Sequence, residues 1–573
     1  MRAPLPPADL DRIAAQIEVA PGIDRVRALN PGFAAADPPT IAAILEEAAK
    51  FAQAHLAPLN DAGDRLGCTI VDGRVRTAPG HRDAWANYVA GGWPSLDHAE
   101  TDGGQGLPLV LAAAVQEVMD RSCSAFGMLP VPQRSAARLI AAHGDEALRA
   151  EWLPRLVAGE WGATICISEP GAGSDVARLR TSARPLDGRR FLVTGEKTWI
   201  SYGDHDLTPR IGHCLLARTR GAEGLSLFLV PDRTDGADGT TRRNNVVVRR
   251  IEEKLGLHAS PTCAMGFEEA EGWLIGTEGR GLAQMFVMIT NMRLSVGTQG
   301  LGIAAGAADA ATRYAAERLQ GGAADAPVAI IEHADVQRML AGMHARVEVL
   351  RGLVLAIATH GDLARHEPDE MRRDDAAALA QWLLPIVKTT GGEYASAVAD
   401  EAIQVFGGAG YTREWPVEQA LRDARVLTIY EGTTGIQALD LLHRRLRRGD
   451  RRGYRCFMAA ARQAQARCPA AAAAPFGRCL DLLDRAVDDM TAAPVAEAEV
   501  GATALLHLAA LAATGWIAAR FAGLADDAPQ HERLAALGSH WLADIDARAA
   551  TCVGALRAPT LGRAMRAIRH DAG

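Results

Sequence analysis

The hydrophobic pattern divides the chain into regimes of different period. From Pro39 onward Ile41, Ile44, Leu45 and Ala48 recur three and four residues apart, the spacing that places them on one face of a helix. The same period returns over residues 109–119, 136–142 and 146–157. Between residues 61 and 108 it is broken by glycine and proline, at Trp93-Pro94 and in the run from Asp102 to Pro108, so that span reads as irregular. The proline-punctuated residues before Pro39 read as an arm laid across the surface. Near residue 162 the period changes to two: residues 163–168, 191–201, 213–217, 225–230 and 244–250 read as strands, with the 232–243 segment as a loop. That spacing predicts a small barrel or sandwich. Helical periodicity resumes at Leu282, with Met285, Met288, Ile289, Met292 and Leu301 on one face. After an irregular span at 321–328, two more long helices are predicted at 333–360 and 374–405.

The fold class is therefore mainly α with a central β domain. It comprises an N-terminal arm and helical domain (1–161), a β-barrel or sandwich domain (162–280), a C-terminal four-helix bundle (281–445) and a helical extension (446–573). The extension opens on a Pro-bounded alanine tract, residues 469–475, followed by predicted helices at 476–492, 496–521 and 532–556.

Composition narrows the function classes. A length of 573 residues accommodates three or four domains. Only 5% of residues are aromatic, so the core must rest on Ala, Leu and Val. A net charge of -8 gives the whole molecule no broad attraction for nucleic acid or anionic lipid. Nine cysteines without a CxxC signal neither a zinc site nor a redox pair, and no metal is expected. Their odd number points to reduced thiols in a reducing compartment, the cytoplasm. The N-terminal MRAPLPPADLDRIAAQ lacks the apolar core of a signal peptide.

The chain is organised chemically around residues 404–437, QVFGGAGYTREWPVEQALRDARVLTIYEGTTGIQ. Glu431 follows the apolar run Val426, Leu427, Ile429, Tyr430 and precedes Gly432, Thr433 and Thr434. A carboxyl among apolar neighbours has its pKa raised by desolvation, which suits it to abstract a proton; a solvated helix cap is the alternative. Two earlier turns carry other chemistry. In Ser168-Glu169-Pro170-Gly171-Ala172-Gly173-Ser174-Asp175 small residues let a flat ring approach the backbone, and Ser168 offers a hydroxyl to its edge. In Lys197-Thr198-Trp199-Ile200-Ser201 the Trp offers a stacking face and Ser201 a second hydroxyl. Arg293 sits mid-helix on a Met-rich face and needs a carboxylate or ligand partner. The string GLGIAAG (300–306) lies inside a helix, so close helix packing explains it better than a dinucleotide fold.

Together, ISEPGAGSD, KTWIS and IYEGTTGIQ resemble the signatures of the acyl-CoA dehydrogenase family of flavoproteins, over about residues 80–445. The length and the strings GDHDLTPR, LGLHASPTC and YEGTTGIQ resemble its large bacterial-type members, including the 3-methylmercaptopropionyl-CoA dehydrogenase-like group. The resemblance implies FAD as cofactor, with Ser168, Trp199, Ser201 and Thr433 on the flavin and Arg318, Gln404 and Gly408 on its pyrophosphate or adenosine, across a homodimer interface. It places Ser174, Arg293, Tyr430 and Gly432 on the substrate side and makes Glu431 the base. A minority of the family carries the base immediately before the Arg; here that residue is Met292, which cannot take a proton. Departures at Leu319-Gln320-Gly321-Gly322 and at Gly435 concern the adenosine contacts. The implied reaction takes the α-proton of an acyl-CoA to Glu431 and the β-hydride to flavin N5. The enolate is held by the Glu431 N–H and a ribityl hydroxyl, trans-2-enoyl-CoA is released, and electrons pass to an electron-transfer flavoprotein.

Two other readings stand beside it. An oxidase would consume oxygen without an added acceptor. A DNA-associated homologue with vestigial activity would bind duplex in a salt-sensitive way. The second is prompted by HRRLRRGDRRGYR (443–455) with its seven Arg, which otherwise reads as a solvated helix end; retention of Glu431 and both turns argues against it. Residues 500–519 carry no charged side chain and are long enough to span a bilayer. Their Ala, Gly and Thr content favours a helix buried against the bundle, and the resemblance leaves room for peripheral membrane contact.

Overall fold

A computed structural model describes residues 3–29, 31–236, 238–525, 528–557, 564–565 and 567–568. The N-terminal segment is not an arm. Helices α1 (Leu10–Glu18) and α2 (Ile23–Leu29) bury Ile13, Ile17, Ile23 and Val26. Its prolines mark the ends of these elements rather than forbidding them, and Asp9 starts α1 by accepting the Arg12 N–H at 3.2 Å. Helix α3 (Pro38–Phe51) follows, capped by Asp37 on the Thr40 N–H at 2.9 Å. The span read as irregular holds a short hairpin, Thr69–Val71 with Arg74–Arg76, and helix α4 (His81–Ala90). Trp85 and Tyr88 of α4 are buried, their rings stacked with centroids 5.3 Å apart. Aromatic burial overrides the glycines that suggested a loop. Helices α5 (Leu109–Ser122), α6 (Pro130–His143) and α7 (Glu146–Val157) complete this part.

Seven strands follow: β1 (Gly162–Cys166), β2 (Ser182–Asp187), β3 (Arg190–Ser201), β4 (Ile211–Thr219), β5 (Leu225–Pro231), β6 (Val246–Ile251) and β7 (Thr262–Ile275). Their order is β6-β7-β3-β2-β4-β1, and β5 pairs with both β7 and β4. The strands β7, β3, β2, β4 and β5 thus close a ring, the barrel form of the expected β domain, filled by Val193, Phe228, Phe267 and their neighbours. The loop expected at 232–243 contains a small hairpin, Arg233–Asp235 with Thr241–Arg243.

Three long helices come next: α8 (Gly281–Glu317), α9 (Ala334–His366) and α10 (Glu370–Phe406). They pack on one another and on α5. Glycines set the spacing where α8 meets α10: a Cβ at Gly300 would lie 2.2 Å from the Gly391 carbonyl oxygen. Within GLGIAAG, a Cβ at Gly302 would lie 2.7 Å from the Arg121 amide nitrogen of α5, so the string serves helix packing. The irregular span after α8 is an exposed hairpin, Leu319–Ala323 with Ala326–Ala329. Helices α11 (Val417–Ala424) and α12 (Thr434–Leu439) bracket the Glu431 turn.

The extension holds more helix than the pattern showed: α13 (Arg452–Arg467), α14 (Ala470–Ala492), α15 (Val495–Ala522), α16 (Pro529–Leu542) and α17 (Ile545–Gly554). The alanine tract is the first turns of α14, with Pro475 inside the helix. Among the described residues α15 is the one helix long and apolar enough to cross a membrane, and 72% of its apolar window is buried. It packs against α9, where a Cβ at Gly352 would meet Ile517 at 2.3 Å. Arg533 of α16 reaches Glu348 of α9 at 2.5 Å. In the arginine cluster Arg444, Arg445, Arg447, Arg451, Arg452 and Arg455 all bond within the chain. Examples are Arg452 to Asp375 at 2.7 Å and Arg445 to Gln381 at 2.7 Å.

Candidate active site

Two turns of the β domain, after β1 and at the end of β3, form the first of two clusters. The strand β1 ends at Cys166, and the chain turns through Ser168, whose carbonyl accepts the Thr198 N–H at 2.9 Å. This bond ties the glycine turn to the Trp199 turn. A buried ion pair ties them again. Lys197 Nζ lies 2.9 Å from Glu169 Oε1 and donates to the Ile167 carbonyl at 3.0 Å. Glu169 also accepts the Arg180 and Thr181 N–H groups at 2.6 and 3.0 Å. Those bonds and the ammonium hold its carboxyl below the usual range against desolvation, while burial pushes the Lys197 ammonium down.

Trp199 is held in an unusual way. The β3–β7 register slips between Lys197 and Ile200, and Trp199 takes a left-handed backbone with φ +63°. Its side chain is 63% exposed. A non-glycine residue in that region costs about 1–3 kcal/mol and persists only where the surroundings enforce it. The turn therefore presents a flat aromatic face outward. Behind it the buried Thr198 hydroxyl has no partner among the described residues. Gly171 and Gly173 face open space, and Ser174 is exposed on the same turn. A broad aromatic ring with polar edges fits this cradle: Trp199 supplies a face, Ser168 and Ser201 supply hydroxyls, and the glycines leave room. Beside it lies a cleft of about 370 Å³ lined by Pro170, Gly171, Arg178, Arg180, Thr181 and Gly195.

The second cluster is the turn between α11 and α12. Glu431 has φ +55° and Gly432 φ +90°. The turn is clamped through its carbonyls. Gln437 Nε2 donates to the Glu431 carbonyl at 3.0 Å and the Gly432 carbonyl at 3.2 Å, and Lys388 Nζ of α10 donates to the latter at 2.6 Å. The Tyr430 hydroxyl donates to Gln299 of α8. Thr433 caps α12 by accepting the Ile436 N–H at 3.4 Å. Among the described residues neither the Glu431 carboxylate nor its backbone N–H has a hydrogen-bond partner. Desolvation raises the Glu431 pKa, opposed by the positive charges of Arg293 and Lys388. Thr433, not Glu431, caps α12, and Glu431 itself is half-buried.

Arg293 is buried and pairs with Asp440 at 2.8 Å, leaving its Nε without a partner. The sequence alternatives for it coexist: it is half of a buried ion pair and also a charge felt by Glu431. Arg445 and Arg444 approach the same Asp440 at 3.4 and 3.3 Å. Met292 is buried beside Arg293.

Of the residues singled out by sequence, Ser168, Trp199 and Ser201 come together at the barrel, with Ser174 on the same turn. Glu431, Tyr430, Gly432, Thr433 and Arg293 come together in the bundle. Arg318, at the end of α8, and Gln404 and Gly408, at the end of α10, are exposed and belong to neither cluster. A Cβ at Gly408 would meet nothing within 4 Å. Sequence reasoning missed Glu169 and Lys197 as a pair, and also Lys388, Gln437 and Asp440. Lys388 had a legible signal, a lysine closing the apolar run Trp382-Leu383-Leu384-Pro385-Ile386-Val387. Among the described residues no cluster of three or more His, Cys, Asp or Glu could hold a metal.

Family models match most of the chain: acyl-CoA dehydrogenase N-terminal domain over residues 38–160, middle domain over 164–270 and C-terminal domain over 279–446. The 3-methylmercaptopropionyl-CoA dehydrogenase of Ruegeria pomeroyi is 40% identical over 499 residues, covering 83% of this chain and 84% of that one. A structure described as electron transferring flavoprotein of Acidaminococcus fermentans is 27% identical with a TM-score of 0.59, covering 71% of this chain and 98% of its own. Caenorhabditis elegans ACDH-11, solved with C11-CoA, aligns over 92% of this chain and 91% of its own with a TM-score of 0.76. At 20% identity it shows the fold alone.

Proposed function

Because the chain belongs to the acyl-CoA dehydrogenase family, and is an FAD-dependent enzyme of that family, we propose that Glu431 is the base that removes the α-proton of an acyl-CoA thioester. The observation that carries this reading is the turn itself. Glu431 is a desolvated carboxylate without a hydrogen-bond partner among the described residues, set next to its own unpaired N–H. A base used in catalysis needs a free lone pair and a pKa moved toward neutrality.

The proposed sequence of events follows from the side chains. Ser168, Ser201 and Thr433 hold the flavin by its polar edge, and Trp199 holds it by its face. FAD, when bound, supplies the acceptor for the β-hydride. The unpaired Glu431 N–H donates to the thioester carbonyl and stabilises charge that develops on its oxygen as the α-proton leaves. Glu431 Oε takes that proton. Tyr430 and Gly432 form the wall on either side, and Arg293 keeps the carboxylate ionised. The product is a trans-2-enoyl-CoA. Ser174 faces the CoA chain, and the Arg178–Arg180 cleft suits its phosphates, since guanidinium groups bond phosphate oxygens well.

Electrons then pass to an electron-transfer flavoprotein; the family and the Acidaminococcus neighbour support this partner. A second copy of the chain would cover Arg318, Gln404 and Gly408, whose exposure on one subunit supports a homodimer with the flavin tail at its interface. Nine cysteines free of disulfides support a cytoplasmic setting.

The test is anaerobic titration of the purified holoenzyme with acyl-CoAs of graded length and branching, 3-methylmercaptopropionyl-CoA included, while flavin absorbance is followed. Bleaching by one chain class, abolished in Glu431→Gln, is the expected result. A flavin that no acyl-CoA bleaches, or a fully active Glu431→Gln, refutes the reading. Oxygen uptake without added acceptor would transfer the assignment to an oxidase.

A further inference from the structure

Lys388 is the feature that the proton-transfer scheme leaves unexplained. It lies in the middle of α10 and is fully buried. Burying an ammonium is costly unless it is paired and hydrogen-bonded. Yet among the described residues its only hydrogen bond is to the Gly432 carbonyl, at 2.6 Å, and it forms no ion pair within 4.0 Å. An apolar side chain would fill that helix position without the penalty.

The charges facing it identify what offsets the cost. From α8 comes Arg293, already matched by Asp440 at 2.8 Å. From its own helix comes Glu393, which is engaged by His507 of α15 at 3.2 Å. From the turn comes Glu431, whose carboxylate has no other partner. The field of Glu431 is the largest influence raising the Lys388 pKa, and burial still leaves that pKa at about 8. At neutral pH the ammonium is charged. Among the described residues it is a buried positive charge without a carboxylate in contact, adjacent to the base.

We propose that Lys388 is a positioning residue for proton abstraction: its ammonium fixes the Glu431–Gly432 turn through the Gly432 carbonyl and holds the Glu431 carboxylate in its ionised form. The two roles are coupled by geometry. The bond at 2.6 Å tethers the left-handed Glu431–Gly432 pair, which carries both the carboxylate and the unpaired N–H. The charge lies beside that carboxylate and, together with Arg293, opposes the desolvation that raises the Glu431 pKa. Gln437 shares the first role, because it bonds the same carbonyls. Being neutral, it has no share in the second. This inference rests on Glu431 being the base.

The experiment separates charge from hydrogen bonding. Lys388→Gln keeps a donor and loses the charge; Lys388→Met loses both; Gln437→Leu removes two neutral hydrogen bonds. The readout is the pH profile of kcat/KM for the best acyl-CoA, on proteins checked for flavin content. An opposite charge at such range moves a carboxyl by about one unit or more. Both Lys388 variants should therefore shift the acid limb up by about one pH unit, with Lys388→Met also slower at the plateau. Gln437→Leu should be slower with its acid limb unmoved. Acid limbs of Lys388→Gln and Lys388→Met that coincide with wild type overturn the proposal. If neither neutral variant folds, Lys388→Arg decides: retained charge requires an unmoved limb, and a limb that moves overturns the charge role. Glu431→Gln is run alongside. Residual turnover there means that the base assignment has failed, and a limb shift in Lys388→Gln would then belong to another group.

Discussion

The Lys197–Glu169 pair predicts an asymmetry between two substitutions that each break one ion pair. The two side chains are 0% and 7% exposed. Removing the acid, Glu169→Gln, strands a buried ammonium on the Ile167 carbonyl. Breaking a buried pair in this way costs about 3–5 kcal/mol. Removing the base, Lys197→Met, leaves Glu169 still bonded by the Arg180 and Thr181 N–H groups, and the methionine fills much of the vacated space. What is lost is then one charge-assisted bond, about 1.5–3 kcal/mol, less the desolvation of the ammonium that is no longer required. Glu169→Gln should therefore be the more destabilising by about 2 kcal/mol. Because a chain of several domains has no single unfolding midpoint, the assay is the temperature at which flavin fluorescence appears as the cofactor is released. The midpoint of Glu169→Gln should lie below that of Lys197→Met, and both below wild type. Equal midpoints, or the reverse order, would show that the pair is not what holds the two turns together.

Other consequences can be checked as directly. Trp199→Gly relieves a left-handed backbone that costs about 1–3 kcal/mol, so the apoprotein should lose no stability while its dissociation constant for FAD, measured by ultrafiltration, rises at least tenfold. His205 and His213 are buried and neutral, with burial pushing them down to about 3 and about 4. The unfolded chain takes up protons at these positions below its ordinary value near 6.5 while the folded chain does not, so stability must fall as pH drops from 6.5 toward 4. In His213→Met, circular dichroism should show a shallower loss of stability across that window. Removing residues 447–573 uncovers the faces of α9 and α10, and light scattering should report aggregation rather than a soluble truncated enzyme.

Much of this candidate site was legible because the chemistry proposed for it is written in short contiguous strings. Ser168, Trp199 and Glu431 each sit in a turn whose residue types are needed there, and turns are local. What escaped was set by packing between distant segments. Lys197 could not be paired with Glu169 across 28 residues, nor Lys388 with Gly432 across 44, because nothing in either segment names its partner. The helical character of the N-terminal segment was hidden for a different reason: prolines at element ends look like loop signals unless the intervening spacing, Ile13 to Ile17, is weighed first. Helix α4 failed through its glycines, which flank the helix instead of interrupting it. The Arg444–Arg455 segment shows a limit of charge counting: some of its carboxylate partners are near in sequence, Asp440 and Asp450, but others lie on α10 and α14, Asp374, Asp375 and Asp488.

The position of α15 along the chain has a cost during synthesis. The faces of α9 and α10 that it covers are complete once residue 406 has been made, while α15 ends at residue 522. At ordinary translation speeds that leaves an apolar surface uncovered for about 6–23 s. During that interval the nascent bundle offers a groove to any passing apolar helix, including the same segment of a neighbouring ribosome's product. Demand for trigger-type chaperones, and sensitivity of yield to expression rate and temperature, should thus be greater for this chain than for a bundle whose cover is made before its core.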